Sequence, residues 1–191
     1  PNGMFRLWQG LRTHGRTKHS RQHSRLLMGP WSHQEPMSSR LGDLDFGSNG
    51  YLNLIEEEKR WFDCWLCGIE NGISDEPPLK LFLMGANEWR SENEWPLKRT
   101  VFTPYFFHSR GQANSLNGDG FLSPEKPDNE RPDHFIYDPN DPVPSIGGNL
   151  STSSWPWTMS AEEPLVPGPV DQRVIEKRDD ILVYTTEELQ F

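Results

Sequence analysis

Cysteine is scarce. The 191 residues contain two, Cys64 and Cys67. They stand three apart inside a helical pattern, where a mutual disulfide would strain the helix, so no disulfide framework is expected. A C-x-x-C pair can be redox-active or half of a zinc site, but no second pair completes a metal site, and two ordinary thiols are expected. Long apolar runs are also missing. No stretch approaches the ~20 residues that cross a bilayer, which speaks against a membrane partner. The first residues show neither the apolar segment nor the small-residue cleavage site of a secretory signal. With the thiols, this gives a cytoplasmic expectation. Acidic residues are absent from positions 1–34, which hold Arg6, Arg12, Arg16, Lys18, Arg21 and Arg25, while all 28 Asp and Glu lie beyond. A basic stretch can signal nucleic acid. Here it lacks interleaved aromatics after Trp8, and the net charge of −9 opposes a polyanion. A polar loop is the expectation, with no nucleic-acid partner.

What is present is turn-rich and aromatic: 16 Gly, 17 Pro, 8 Trp and 10 Phe. That composition suits strands and turns more than a helical bundle. Along the chain, apolar residues from Met4 to Leu11 follow a helical period, with Gly15 as a stop. A polar loop is expected to Ser24. Arg25–Met28 reads as a buried strand that ends at Gly29-Pro30, since proline cannot donate to a ladder. His33 follows just past the carboxyl end of that strand, the edge where open α/β sheets form ligand sites. Residues 34–50 read as loop, with Asp43 and Asp45 in turns. Residues 53–69 are the strongest helix: Asn53 caps it, Glu56 to Glu58 favour its dipole, and Leu54, Trp61, Phe62, Trp65, Leu66 and Ile69 form one apolar stripe expected in the core. Gly68 or Gly72 ends it.

Ser74-Asp75-Glu76-Pro77-Pro78 is a breaker and marks the expected domain boundary, 1–76 against 77–191. Beyond it, Leu79–Met84, Thr100–His108, Asp133–Tyr137 and Asp180–Thr186 read as strands. Asn117-Gly118-Asp119-Gly120 reads as a turn. Residues 138–170 form a Pro-rich loop that contains Trp155-Pro156-Trp157. Asn149-Leu150-Ser151 matches a glycosylation acceptor.

Chemistry is harder to find. There is no G-x-S-x-G elbow, P-loop, dinucleotide fingerprint or H-E-x-x-H. No spacing singles out a carboxylate pair. From the residues alone, the chain is a helical segment joined to a β-rich module with one notable histidine. Taken alone, a histidine at a strand end is more often a hydrogen-bonded loop residue than a catalyst.

Gly29-Pro30-Trp31-Ser32-His33 resembles the histidine motif of the CocE/NonD acyl-esterase family, which is related to X-Pro dipeptidyl-peptidases. The likeness continues through Arg60-Trp61-Phe62-Asp63-Cys64-Trp65-Leu66, Leu81 to Arg90, Trp95-Pro96-Leu97, Asn114-Ser115-Leu116, Tyr137-Asp138-Pro139, Asp141 to Pro144, Gly168 to Arg173 and Asp179 to Tyr184. It implies the C-terminal end of an α/β-hydrolase domain followed by a partial jelly-roll β-sandwich. It also implies a serine hydrolase, esterase or dipeptidyl-peptidase in type, acting on a small ester or amide through a Ser-His-Asp triad without cofactor or metal. Of that triad only His33 is in this sequence. The resemblance puts the serine, aspartate and oxyanion donors before residue 1 and continues the jelly roll past residue 191, so an internal fragment, inactive alone, is expected. The alternative is a non-catalytic β-sandwich binding module for carbohydrate or protein. In that reading Trp89, Trp95, Trp155 and Trp157 are platforms for a sugar; otherwise they pack between domains. Oligomeric state is not specified by the sequence.

Overall fold

The computed structural model describes residues 2–32, 36–148 and 166–189. His33, Trp155, Trp157 and the Asn149 acceptor lie outside the described residues. Contacts divide the chain into two compact units, Pro1–Thr100 with Asn149–Pro169, and Val101–Gly148 with Val170–Phe191.

In the first unit, helix α1 (Asn2–His14) buries Phe5 and Trp8, three apart on one face. Gly15 then closes the last turn by donating to Leu11 O at 2.9 Å. The stretch expected as a loop contains a second helix, α2 (Lys18–His23). It carries no apolar stripe, and its start is fixed locally. Ser20 N donates to Thr17 Oγ1, and Thr17 N donates to Ser20 Oγ, a reciprocal cap. Its histidines, His19 and His23, both lie against the Trp65 ring.

Strand β1 (Leu26–Met28) follows as expected. Next come a short hairpin, β2 (Arg40–Leu41) and β3 (Leu44–Asp45), and a 3-10 turn, Gly47–Gly50. Asp45 takes the expected turn role: it accepts from Gly47 N and from Arg40 Nε. Helix α3 (Leu54–Cys67) has Asn53 as its cap, with Asn53 Oδ1 accepting from Ile55 N and Glu56 N. Gly68, at φ 69° and ψ 23°, ends it in the left-handed region. Both cysteines are free thiols.

The proline pair leads straight into β4 (Leu79–Leu83), which pairs in parallel with β1 and antiparallel with β5 (Glu88–Glu92). The sheet order is β1-β4-β5, so residues on both sides of Pro77-Pro78 share one sheet. Alternation along the strands separates its faces. Leu26, Leu79, Met28 and Leu81 meet Phe5 and Trp8 of α1, together with Trp95. Leu79 is fully buried, which contributes about 1.5–3 kcal/mol relative to exposure. Lys80, on the opposite face, reaches α3 through Glu57 Oε1 at 2.9 Å. Helices therefore lie over both faces of a mixed sheet.

The α3 stripe is a correction to expectation. Phe62 and Leu66 are 49% and 74% exposed. Three strands are too narrow to cover all of that helix face, and it borders a cavity of about 590 Å³ lined partly by Leu27, Trp31, Leu54 and Trp61.

In the second unit, β6 (Phe106–His108) pairs antiparallel with β7 (Phe121–Ser123). The turn before β7 is closed by Gly118 N donating to Ser115 O. Asp133–Tyr137, expected as a strand, carries none, and Asp180–Thr186 contributes single bridges, Asn114 with Leu182 and Phe121 with Thr185. Asp133 explains the first difference. Its carboxylate accepts from Ser109 Oγ, Ala113 N and Tyr184 Oη, so the segment is held through a side chain rather than a ladder. Among the described residues, the strands are short, the three α-helices all lie in the first unit, and the second unit carries strands and bridges without an α-helix. No helix among the described residues is long and apolar enough to cross a membrane.

Candidate functional site

The strand end that leads to His33 is built around Trp31. Its indole folds back over Gly29: a methyl group on Gly29 would lie 2.5 Å from ring atoms Cε3 and Cζ3. Glycine is required there for space, beyond the strand-ending role of the Gly-Pro pair. The indole then crosses to the far end of the loop, where Trp31 Nε1 donates to Gly50 O at 2.9 Å. Trp89 of β5 lies beside it, ring centroids 5.6 Å apart, and Trp89 Nε1 donates to the neighbouring carbonyl, Asn49 O, at 2.8 Å. Asn49 Nδ2 donates in turn to Asn87 O. Phe82 and Phe46 continue the aromatic cluster, and Lys80 Nζ stands 5.7 Å from the Trp89 ring centroid. Leu54 N, at the start of α3, donates to Met37 Sδ.

Below this aromatic layer runs a chain of alternating charges. Arg25 Nη2 donates to Glu76 Oε2 at 2.7 Å, and Arg60 Nη2 donates to the other Glu76 oxygen. Arg60 also meets Glu57, which holds Lys80. Burial disfavours the charged Glu76 carboxylate, but the two guanidiniums outweigh it and hold its pKa below the ordinary value. The chain ties β1, α3 and β4 together and leaves no group poised for proton transfer.

A second polar centre, in the second unit, was not singled out by the sequence. The buried His108 stacks on Phe121 at 4.8 Å; Nδ1 faces Glu130 Oε1 at 2.6 Å and Nε2 faces Glu125 O at 2.9 Å. A carbonyl oxygen only accepts, so Nε2 carries a proton. The hydrogen bond with Glu130 raises the His108 pKa, and the same bond lowers that of Glu130. With both ring nitrogens engaged by acceptors, His108 has no nitrogen free to take a proton from a serine. The adjacent Ser109 Oγ donates instead to Asp133 Oδ2 at 2.6 Å. Burial and Asp133 push the Tyr184 hydroxyl up to about 12. Ser109, His108, Glu130 and Asp133 therefore resemble a triad in composition, but their geometry makes them a structural clasp. Only the run of polar residues after Phe106-Phe107 could have hinted at it. Among the described residues, no group of three or more His, Cys, Asp or Glu could hold a metal ion.

Trp89 and Trp95 are engaged in packing. Trp95 stacks on Phe5 with centroids 4.3 Å apart, and its carbonyl accepts from Gln9 Nε2. That speaks against their use as sugar platforms.

Residues 71–190 match the X-Pro dipeptidyl-peptidase C-terminal non-catalytic domain. The chain belongs to that family. It is also 39% identical over 169 residues to cocaine esterase of Rhodococcus sp. (strain MB1 Bresler), a match covering 87% of this chain and 28% of the relative. It is 31% identical over 121 residues to a Mycobacterium bovis protein named "Putative serine esterase", covering 60% of this chain and 17% of the relative. A Mycobacterium tuberculosis protein of the same description matches to the same extent. The kinship with cocaine esterase and serine esterases expected from the Gly29–His33 motif and its flanks is thus found. The chain spans less than a third of the length of these relatives.

Proposed function

We propose that the chain is the His33-bearing part of a serine acyl hydrolase that cleaves a small ester or amide. Residues 1–76 would close an α/β-hydrolase domain, and 77–191 would begin a jelly-roll domain. The observation that carries the reading is the match to cocaine esterase across 87% of the chain, together with the Gly29–His33 motif at the end of β1. In this mechanism a serine attacks the acyl carbonyl. His33 takes its proton and later returns one to the leaving group, while an aspartate orients the imidazole. The serine and aspartate come from outside these 191 residues, and no cofactor or metal takes part. Cytoplasmic location belongs to the same proposal.

Two features support the division of labour. The family matched by residues 71–190 is described as non-catalytic, and His33 stands outside that span. His108, inside it, is bonded at both ring nitrogens and unsuited to act as a base. The test is hydrolysis of a chromogenic ester by the purified chain and by the whole protein. The chain alone should show background rates. Turnover by the chain that is lost in His33→Ala would overturn the fragment reading.

A further inference from the structure

The segment from Trp31 to Gly50 includes the β2–β3 hairpin and the 3-10 turn, and its two described ends are joined. Trp31 Nε1 donates across the base of the loop to Gly50 O at 2.9 Å. The next carbonyl along, Asn49 O, is held by Trp89 Nε1 at 2.8 Å, and Asn49 Nδ2 bonds Asn87 O at the β4–β5 turn. The two indoles lie against each other, with Phe82 and Lys80 behind Trp89. The Asn49–Gly50 end cannot shift without breaking bonds to β5 and its turn, and the Trp31 end is tied to it by the Trp31–Gly50 bond and the ring contact with Trp89. Yet β4 and β5 fall inside the span matched as a non-catalytic domain.

We propose that Trp89 is a positioning residue for the reaction proposed above: with Trp31, it holds the described backbone that precedes His33 by two residues in the sequence. The inference rests on the reading of His33 as the general base. It assigns part of the catalytic geometry to the segment described as non-catalytic. A base must meet its serine within hydrogen-bond reach, and a displacement of about 1 Å can lower turnover by up to 10²-fold. Substrate binding built elsewhere would be untouched by such a displacement.

The experiment uses the whole hydrolase and a chromogenic ester, well below the melting temperature. Trp89→Phe keeps the ring and deletes the N–H to Asn49 O; Trp31→Phe deletes the N–H to Gly50 O. Each should lower kcat about tenfold with KM within about twofold, and the double variant should lose less than the product of the two, because both act on one loop base. Gly68→Ala, at the end of α3, serves as a stability control and should leave kcat within about twofold. Two results overturn the inference while His33→Ala remains inactive: kcat unchanged in both Trp variants, or kcat falling equally in Gly68→Ala at equal loss of Tm. If His33→Ala keeps native turnover, the underlying reading fails and the inference falls with it.

Discussion

Gly29→Ala isolates the reason for the Gly-Pro-Trp sequence. The new methyl would sit 2.5 Å from the Trp31 ring, whereas carbon–carbon contacts settle near ~3.5–4.0 Å, so the ring must retreat by roughly 1 Å. Retreat weakens the Trp31–Gly50 hydrogen bond, about 1 kcal/mol. It also loosens the ring contact with Trp89, about 0.5–1.5 kcal/mol. Alanine offsets about 0.4–1 kcal/mol of this by restricting the unfolded chain. The expected net loss is about 0.5–2 kcal/mol, overlapping the lower part of the usual range for overpacking. Urea denaturation measures it, and a double-mutant cycle decides its origin. In a Trp31→Ala background the three nearest ring atoms are removed, so Gly29→Ala should there be neutral or stabilising by up to about 1 kcal/mol. An equal loss in both backgrounds would refute the ring as the cause.

Three further outcomes are expected. Gly68→Ala puts a Cβ into left-handed backbone at the end of α3 and should destabilise by about 1–2 kcal/mol in the same denaturation assay. The folded pKa of His108 is raised above 6.5 by Glu130, so its contribution to stability is complete below pH 6.5 and disappears as pH rises through the folded value; the Glu130 contribution, its pKa lowered, disappears at acid pH. Melting of the second unit should therefore fall between pH 6.5 and more alkaline solutions in the native protein, and His108→Gln should flatten that slope. Removing the negative charge with Asp133→Asn should bring the Tyr184 titration down from about 12 toward the ordinary tyrosine value, read by ultraviolet absorbance.

Periodicity made α1, β1 and α3 readable in the sequence, because each carries its own signal: Phe5 and Trp8 on one face, Leu26–Met28 before a proline, Asn53 before an apolar stripe. Elements that depend on a partner were not readable. Glu88-Trp89-Arg90-Ser91-Glu92 alternates charge with little apolar content and is a strand because β4 pairs with it. In α2, polar on every side, a cap and a stack on Trp65 replace the apolar stripe. Asp133–Tyr137 has strand-like composition, yet its first residue is engaged with three donors. At the candidate site, the motif drew attention to His33 in the sequence but did not say why Gly29 precedes Trp31. That reason lies in an indole folding back over the backbone, a contact no spacing rule encodes. The second histidine centre escaped for a similar cause, since Glu130 and Asp133 meet His108 and Ser109 only across the fold.

The most direct measurement compares two histidines in the whole protein. With a chromogenic ester under saturating substrate, His33→Ala should lose several orders of magnitude in kcat. His108→Gln should keep native turnover below its melting temperature. Near-native kcat in His33→Ala would contradict the account.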